Sequence, residues 1–128
     1  SYVGYVHAVA HSLGGKYNIP HGLANAVILP YVLRKFGCKI YRKLWKLGLA
    51  AHLFDKATSY EVGAKIFIQT IEDMNQEMNI PTKIPEIKNN DIPTLAKTAE
   101  KEANPLYPVP VLWTTKELTE IYCEVKNG

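Results

Sequence analysis

Cysteines and long apolar runs are both scarce in this sequence, and each absence excludes a class of protein. Of 128 residues only two are cysteines, Cys38 and Cys123. They lie far apart, and neither belongs to a Cys-x-x-Cys pair, so nothing supports a disulfide framework or a structural zinc site. The longest apolar stretch, residues 23–33, is interrupted by Asn25 and Pro30 and is too short to span a bilayer. Because no basic segment opens the chain as in a signal peptide, we expect a cytoplasmic protein with no membrane partner.

A strong excess of one charge is also missing. Fifteen basic and twelve acidic residues give a net charge of +3 at pH 7. The densest basic stretch, residues 34–46, interleaves Lys and Arg with Ile40, Leu44 and Trp45, as on the solvated face of a helix. This pattern argues against a nucleic-acid partner.

Apolar residues recur at three- and four-residue spacing along most of the chain, and no stretch alternates like a half-buried strand. The sequence therefore predicts an all-α fold in one domain, residues 1–128. The first three helices are predicted over residues 2–13, 22–36 and 39–54. A fourth should begin at a cap at Thr58 and end before Pro81, a fifth should run from a cap at Asp91 to about Ala103, and the last should cover residues 115–126.

Several local signals predict where these helices begin, end and bury their side chains. The first helix, apolar all round, should end at Gly14-Gly15, and Pro30 should kink or split the second. Capping boxes are predicted at Thr58 with Glu61 and at Thr114 with Glu117, and an extended loop over residues 104–113. The fourth helix should bury one apolar stripe, composed of Phe67, Ile71, Met74 and Met78.

Three of the four histidines fall within fifteen residues: His7, His11 and His21. His7 and His11 share one helix face, and the glycine pair with Pro20 could turn His21 back beside it. Imidazole commonly binds first-row transition metals, but core histidines bonded to backbone would give the same spacing. Residues 8–10 lack the Glu of a His-Glu-x-x-His zinc protease, so that reaction class is excluded. His52 stands alone on an amphipathic helix and is predicted to be a surface or boundary histidine.

Residues 4–30, GYVHAVAHSLGGKYNIPHGLANAVILP, resemble the signature of iron-containing (group III) alcohol dehydrogenases. The likeness covers the spacing of the three histidines, the paired glycines, the Pro-His-Gly turn and the Ala-Asn-Ala helix start. Downstream, the segment from Asp91 to Pro105 and the closing helix are similar to the family's usual ending, with less specificity.

The resemblance implies a two-domain, dehydroquinate synthase-like fold in which this chain is the helical, carboxy-terminal, metal-binding domain. An amino-terminal α/β domain binds NAD or NADP, and a metal held by one Asp and three His lies between the domains. The family pattern makes His7 and His21 ligands and places His11 near substrate and nicotinamide as a catalytic, non-ligating residue. The Asp, the third His and a glycine-rich phosphate loop have no counterpart here, so we expect an amino-terminal domain to be missing.

Such a site would transfer a hydride between a small alcohol or aldehyde and NAD(P), with the metal acting as a Lewis acid on the substrate oxygen. A mixed N/O ligand set suits Fe(II), with Zn as the alternative. The rival interpretations are a glycerol or polyol dehydrogenase of the same superfamily and a non-catalytic helical interaction domain.

For the chain by itself the same reasoning predicts inactivity. Two imidazoles are half of the expected ligand set, so the fragment should hold little or no metal and no NAD(P). An apolar cleft face around Val6, Val9, Leu23 and Val27 should be exposed and promote association. A homo-oligomer is therefore expected.

Overall fold

The computed structural model describes the backbone of residues 2–103 and 113–128 and the side chains of residues 4–103 and 113–128. These ranges contain six α-helices, two short 3₁₀ turns and no strand, which confirms the all-α prediction. The helices are α1 (Tyr2–Tyr17), α2 (His21–Phe36), α3 (Tyr41–Ala50), α4 (Tyr60–Glu77), α5 (Ile92–Ala103) and α6 (Thr115–Asn127). The 3₁₀ turns are Gly37–Ile40 and Asn89–Asp91. None of these helices is long and apolar enough to cross a membrane.

Helix α1 packs against α2 and α5, and α6 packs against both α5 and α2. In α1, the side chains of Tyr5, Ala8, Val9 and Leu13 are fully buried. His7 and most residues from His11 to Tyr17 reach solvent, so the prediction of a helix buried all round holds only for residues 4–6 and 8–10. Helices α3 and α4 form a hairpin that joins the core through α2.

The paired glycines do not end α1, which continues for one more turn to Tyr17. Asn18 then adopts a left-handed conformation (φ 57°), the usual device for ending a helix. The Tyr17 hydroxyl donates to Asp91 Oδ2 at 2.6 Å and accepts from the backbone N–H of Lys88 at 3.0 Å. These bonds to a distant segment hold the extra turn in place, and local sequence could not indicate them.

Pro30 does not split α2, which runs unbroken from His21 to Phe36. A proline in a helix has no N–H for the carbonyl four residues earlier, here that of Ala26. The side-chain amide of Asn75, on α4, donates to this carbonyl at 2.9 Å. The bond lost within α2 is therefore replaced by one from another helix.

Helix α3 is shorter than predicted at both ends, because residues 37–40 form a 3₁₀ turn and the helix stops at Ala50. His52 follows it, exposed and in a left-handed conformation (φ 60°). The surface position predicted for His52 is confirmed, although it lies beyond the helix and not on it.

The predicted cap of α4 is wrong, and its predicted buried stripe is confirmed only for Phe67 and Ile71, which are partly buried against the core. Ser59 caps the helix, since its hydroxyl accepts from the N–H of Val62 at 3.2 Å. The buried face is Gly63, Ala64 and Ile68, whereas Met74 and Met78 are 54% and 59% exposed. The reason is the α3–α4 packing: the rings of Trp45 and Phe54 occupy the space beside Gly63, and a Cβ there would lie 2.5 Å from Trp45.

The last two helices follow the sequence closely. Helix α5 begins at Ile92, one residue after the predicted cap, and α6 carries the predicted capping box, in which Thr114 Oγ1 accepts from the N–H of Glu117 at 3.3 Å. Before α6, the Trp113 ring stacks on Tyr5 and Phe36, with centroid distances of 4.4 Å to each. The backbone N–H of Trp113 donates to the Tyr5 hydroxyl at 2.6 Å. Residues 104–112 of the predicted extended loop lie outside the described residues.

Candidate metal centre

The three clustered histidines meet where α1 and α2 join. His7 and His11 lie one turn apart on α1, with ring centroids 5.9 Å apart and ring planes nearly parallel at 14°. His21 is the first residue of α2, and its ring meets that of His7 edge to face, at 5.3 Å between centroids. The His7 side chain is 45% exposed and that of His11 is 64% exposed, so neither is a core histidine.

A three-residue connection brings His21 back to His7. Asn18 turns the chain with its positive φ, and Pro20 is extended (φ −54°, ψ 134°) immediately before α2. The carbonyl of Pro20 accepts the N–H of Ala24 at 3.0 Å, which begins the helix. The predicted reversal exists, but Asn18 and Pro20 produce it and the glycine pair does not.

The separation of the His7 and His21 rings fits a shared metal ion. With metal–nitrogen bonds of about 2.1 Å, an ion lies about 3.2 Å from each ring centroid, so two ligands at a tetrahedral angle have centroids about 5 Å apart. The observed 5.3 Å agrees. Within residues 2–103 and 113–128, however, no group of three or more His, Cys, Asp or Glu side chains is arranged to hold a metal.

A carboxylate that the sequence analysis missed lies beside these rings. Glu102, on α5, has its Oε2 3.1 Å and its Oε1 3.2 Å from Nδ1 of His11. Oε1 also lies 3.8 Å from Nε2 of His7. The signal was present in α5: Leu95 and Ala99 belong to its buried stripe, and Glu102 follows them at seven- and three-residue spacing, where an apolar residue is expected.

A partly buried pair of hydroxyls, those of Ser12 and Tyr122, connects α1 to α6 and α5. The Ser12 hydroxyl donates to the carbonyl of Val9 at 2.9 Å and lies 2.5 Å from the Tyr122 hydroxyl. Tyr122 also lies within 3.3 Å of the carbonyl of Leu95. Burial raises the pKa of the Tyr122 hydroxyl, which therefore stays protonated and able to donate.

The apolar surface predicted around the histidines is not exposed. Val6, Val9 and Val27 are buried and Leu23 is half-buried, because α2 and α5 cover α1. In the described part of the chain the large exposed apolar side chains lie on the α3–α4 hairpin instead: Leu47, Tyr60, Val62, Met74 and Met78.

The sequence matches a family model along almost its whole length. Residues 1–125 fit the model described as "Fe-containing alcohol dehydrogenase family, C-terminal". The chain belongs to this family. The resemblance carried by residues 4–30 is thereby confirmed.

Individual family members are similar over the same region. The chain is 34% identical to the 1,3-propanediol dehydrogenase of Citrobacter freundii over 125 residues, which is 94% of this chain and 31% of the relative. It is 36% identical to alcohol dehydrogenase 4 of Saccharomyces cerevisiae, over 93% of this chain and 30% of that protein. A crystal structure of a 1,3-propanediol oxidoreductase superposes with a TM-score of 0.85 at 31% identity, covering 94% of this chain and 32% of the other. The chain thus spans about a third of the length of these relatives.

Proposed function

We propose that this chain is the helical, metal-binding domain of an NAD(P)-dependent alcohol dehydrogenase, with residues 1–128 forming that one domain. His7 and His21 are two of four protein ligands to Fe(II), with Zn as the alternative ion. The observation that carries the proposal is the 5.3 Å separation of these two rings in a member of the iron-containing alcohol dehydrogenase family. The other two ligands, an Asp and a His, are assigned to a domain ahead of this chain.

The chemistry assigns a different task to each histidine. When bound, the divalent ion supplies a Lewis acid for the oxygen of an alcohol or aldehyde. His7 and His21 hold it as neutral imidazoles at the junction of α1 and α2. His11, beside His7 but more exposed, is placed to contact the substrate or to accept its hydroxyl proton. NAD or NADP supplies the hydride acceptor, and its binding is assigned to the preceding domain.

The substrate class is small alcohols and the corresponding aldehydes. A diol or polyol dehydrogenase is the second candidate, because one of the similar proteins carries the name 1,3-propanediol dehydrogenase. A cytoplasmic location and a homo-oligomeric assembly complete the proposal.

Histidine substitutions in the full-length protein test these roles. His7→Ala and His21→Ala should each remove most of the bound metal, because each deletes a ligand. His11→Ala should keep the metal but lower kcat by about 10²-fold or more, as expected for loss of a general acid–base group. His52→Ala is the matched control, since this histidine is exposed and lies after α3. Metal content is measured by elemental analysis, and turnover by alcohol oxidation with NAD and NADP. Normal metal content in both ligand variants would refute the assignment.

A further inference from the structure

The contact between Glu102 and His11 gives the histidine a defined protonation pattern. An ionised carboxylate only accepts hydrogen bonds, so the 3.1 Å contact requires the proton to sit on Nδ1 of His11. A neutral imidazole carries one proton, and Nε2 is then left as the acceptor. Glu102 therefore selects the tautomer whose distal nitrogen can take a proton or accept a hydrogen bond from a substrate.

The position of Glu102 favours a maintained contact. Its side chain is only 23% exposed, and the neighbouring Ala103 is fully buried in the core. Both carboxylate oxygens lie within 3.2 Å of the same nitrogen, so a small rotation of the carboxylate does not break the bond. The His11 side chain is 64% exposed, so burial in the core does not fix its orientation. A charged hydrogen bond from a different helix supplies that orientation.

We propose that Glu102 is a positioning residue for His11: it accepts the Nδ1–H, fixes the ring and presents Nε2 to the substrate. The tautomer follows from the geometry of this chain, whereas its use in turnover rests on the proposed function. The two parts are tested by separate measurements.

The first measurement is ¹⁵N NMR of the 128-residue chain with labelled histidine, at a pH where the imidazoles are neutral. In the unmodified chain the His11 resonances should show a protonated Nδ1 and an unprotonated Nε2. Glu102→Ala should move His11 toward the Nε2–H form that solvated histidine prefers. Glu102→Gln should retain Nδ1–H, because the amide oxygen still accepts. Glu100→Ala is the control, since residue 100 points about 200° away on the same helix.

The second measurement is kinetic and uses the full-length protein. Glu102→Ala should lower kcat by about 10-fold or more, the size of effect typical when a hydrogen-bond partner of a functional histidine is lost. Metal content should change little, because Glu102 lies closer to the non-ligating His11 (3.1 Å) than to the proposed ligand His7 (3.8 Å). Glu102→Gln should recover part of this loss. In a His11→Ala background, Glu102→Ala should have no further effect, because Glu102 acts through His11.

Two results would overturn the inference. One is an unchanged His11 tautomer in Glu102→Ala, with circular dichroism showing an intact helical fold. The other is a Glu102→Ala/His11→Ala double variant whose fold-loss of kcat equals the product of the two single losses. If the tautomer shifts as expected but the full-length protein oxidises no alcohol, the proposed function fails while the positioning contact stands.

Discussion

Pro30 removes a hydrogen bond from α2, and Asn75 replaces it from α4. This pair leads to a prediction about stability. Asn75→Ala should lower the free energy of unfolding by about 1 kcal/mol, because the Ala26 carbonyl loses its donor in a partly buried position. In a Pro30→Ala background the loss should be smaller, since the N–H of residue 30 can then donate to Ala26.

Urea unfolding of the unmodified chain, the two single variants and the double variant measures the coupling directly. Gln76→Ala is the control, because it removes an exposed amide from the neighbouring position. Equal losses from Asn75→Ala in the two backgrounds would show that the bond does not compensate for the proline.

The residues of the candidate site were predictable to different degrees, for a physical reason. His7, His11 and His21 lie so close along the chain that one helix and one reversal bring them together. Glu102 is 91 residues away from His11, and it lies beside the histidines only because α5 packs on α1. Spacing along a sequence carries no information about which helices pack against each other.

At the level of helices, starts were predicted better than buried faces. A cap depends on three or four consecutive residues, and Thr114 with Glu117 forms the predicted box. The buried face of α4 depends on what packs against it, and two bulky rings, Trp45 on α3 and Phe54 in the connection after it, select the side that carries Gly63. The apolar residues Met74 and Met78 were therefore expected in a core that does not reach them.

Two adjacent hydroxyl residues before α4, Thr58 and Ser59, have different roles. Ser59→Ala should lower the free energy of unfolding by about 1 kcal/mol, because the N–H of Val62 loses its side-chain acceptor. Thr58→Ala should have a smaller effect, since Thr58 contributes its backbone carbonyl to Nε1 of Trp45 and alanine keeps that carbonyl. Chemical unfolding of both variants provides the comparison. A larger loss of unfolding free energy from Thr58→Ala than from Ser59→Ala would support Thr58 as the cap, as predicted from the sequence.

Over the residues that the structure describes, the number and order of the helices followed from periodicity, while their packing did not. Repeated three- and four-residue spacing reflects the helix itself, so it survives in any all-α arrangement. The prediction of an exposed apolar cleft around Val6 and Val9 was wrong, because α2 and α5 pack on α1 and bury these side chains. A sequence pattern shows that a face is apolar, but not whether this chain or another one covers it.

Four tyrosines, two buried and two partly buried, make the stability of the fold sensitive to alkaline pH. Burial raises the pKa of the hydroxyls of Tyr5, Tyr17, Tyr31 and Tyr122. As the pH rises, the unfolded chain therefore loses these protons at a lower pH than the folded chain does. The stabilisation is fully present below about pH 10, and the free energy of unfolding should fall as the pH rises past that value. Tyr122→Phe should make this decline less steep, whereas the exposed control Tyr60→Phe should not. Urea unfolding between about pH 8 and pH 11 measures both slopes, and equal slopes would contradict the role of Tyr122.

The final prediction is that the purified 128-residue chain binds iron or zinc weakly and oxidises no alcohol. Catalytic metal sites normally have three or more protein ligands, and the described residues bring only two imidazoles, those of His7 and His21, into a suitable arrangement. The nearest carboxylate, Glu102, already accepts a hydrogen bond from His11. Elemental analysis after dialysis against iron or zinc, together with an alcohol oxidation assay with NAD and NADP, tests both parts. One tightly held ion per chain would instead show that this domain completes a site by itself, and its loss in Glu102→Ala would identify Glu102 as the third ligand.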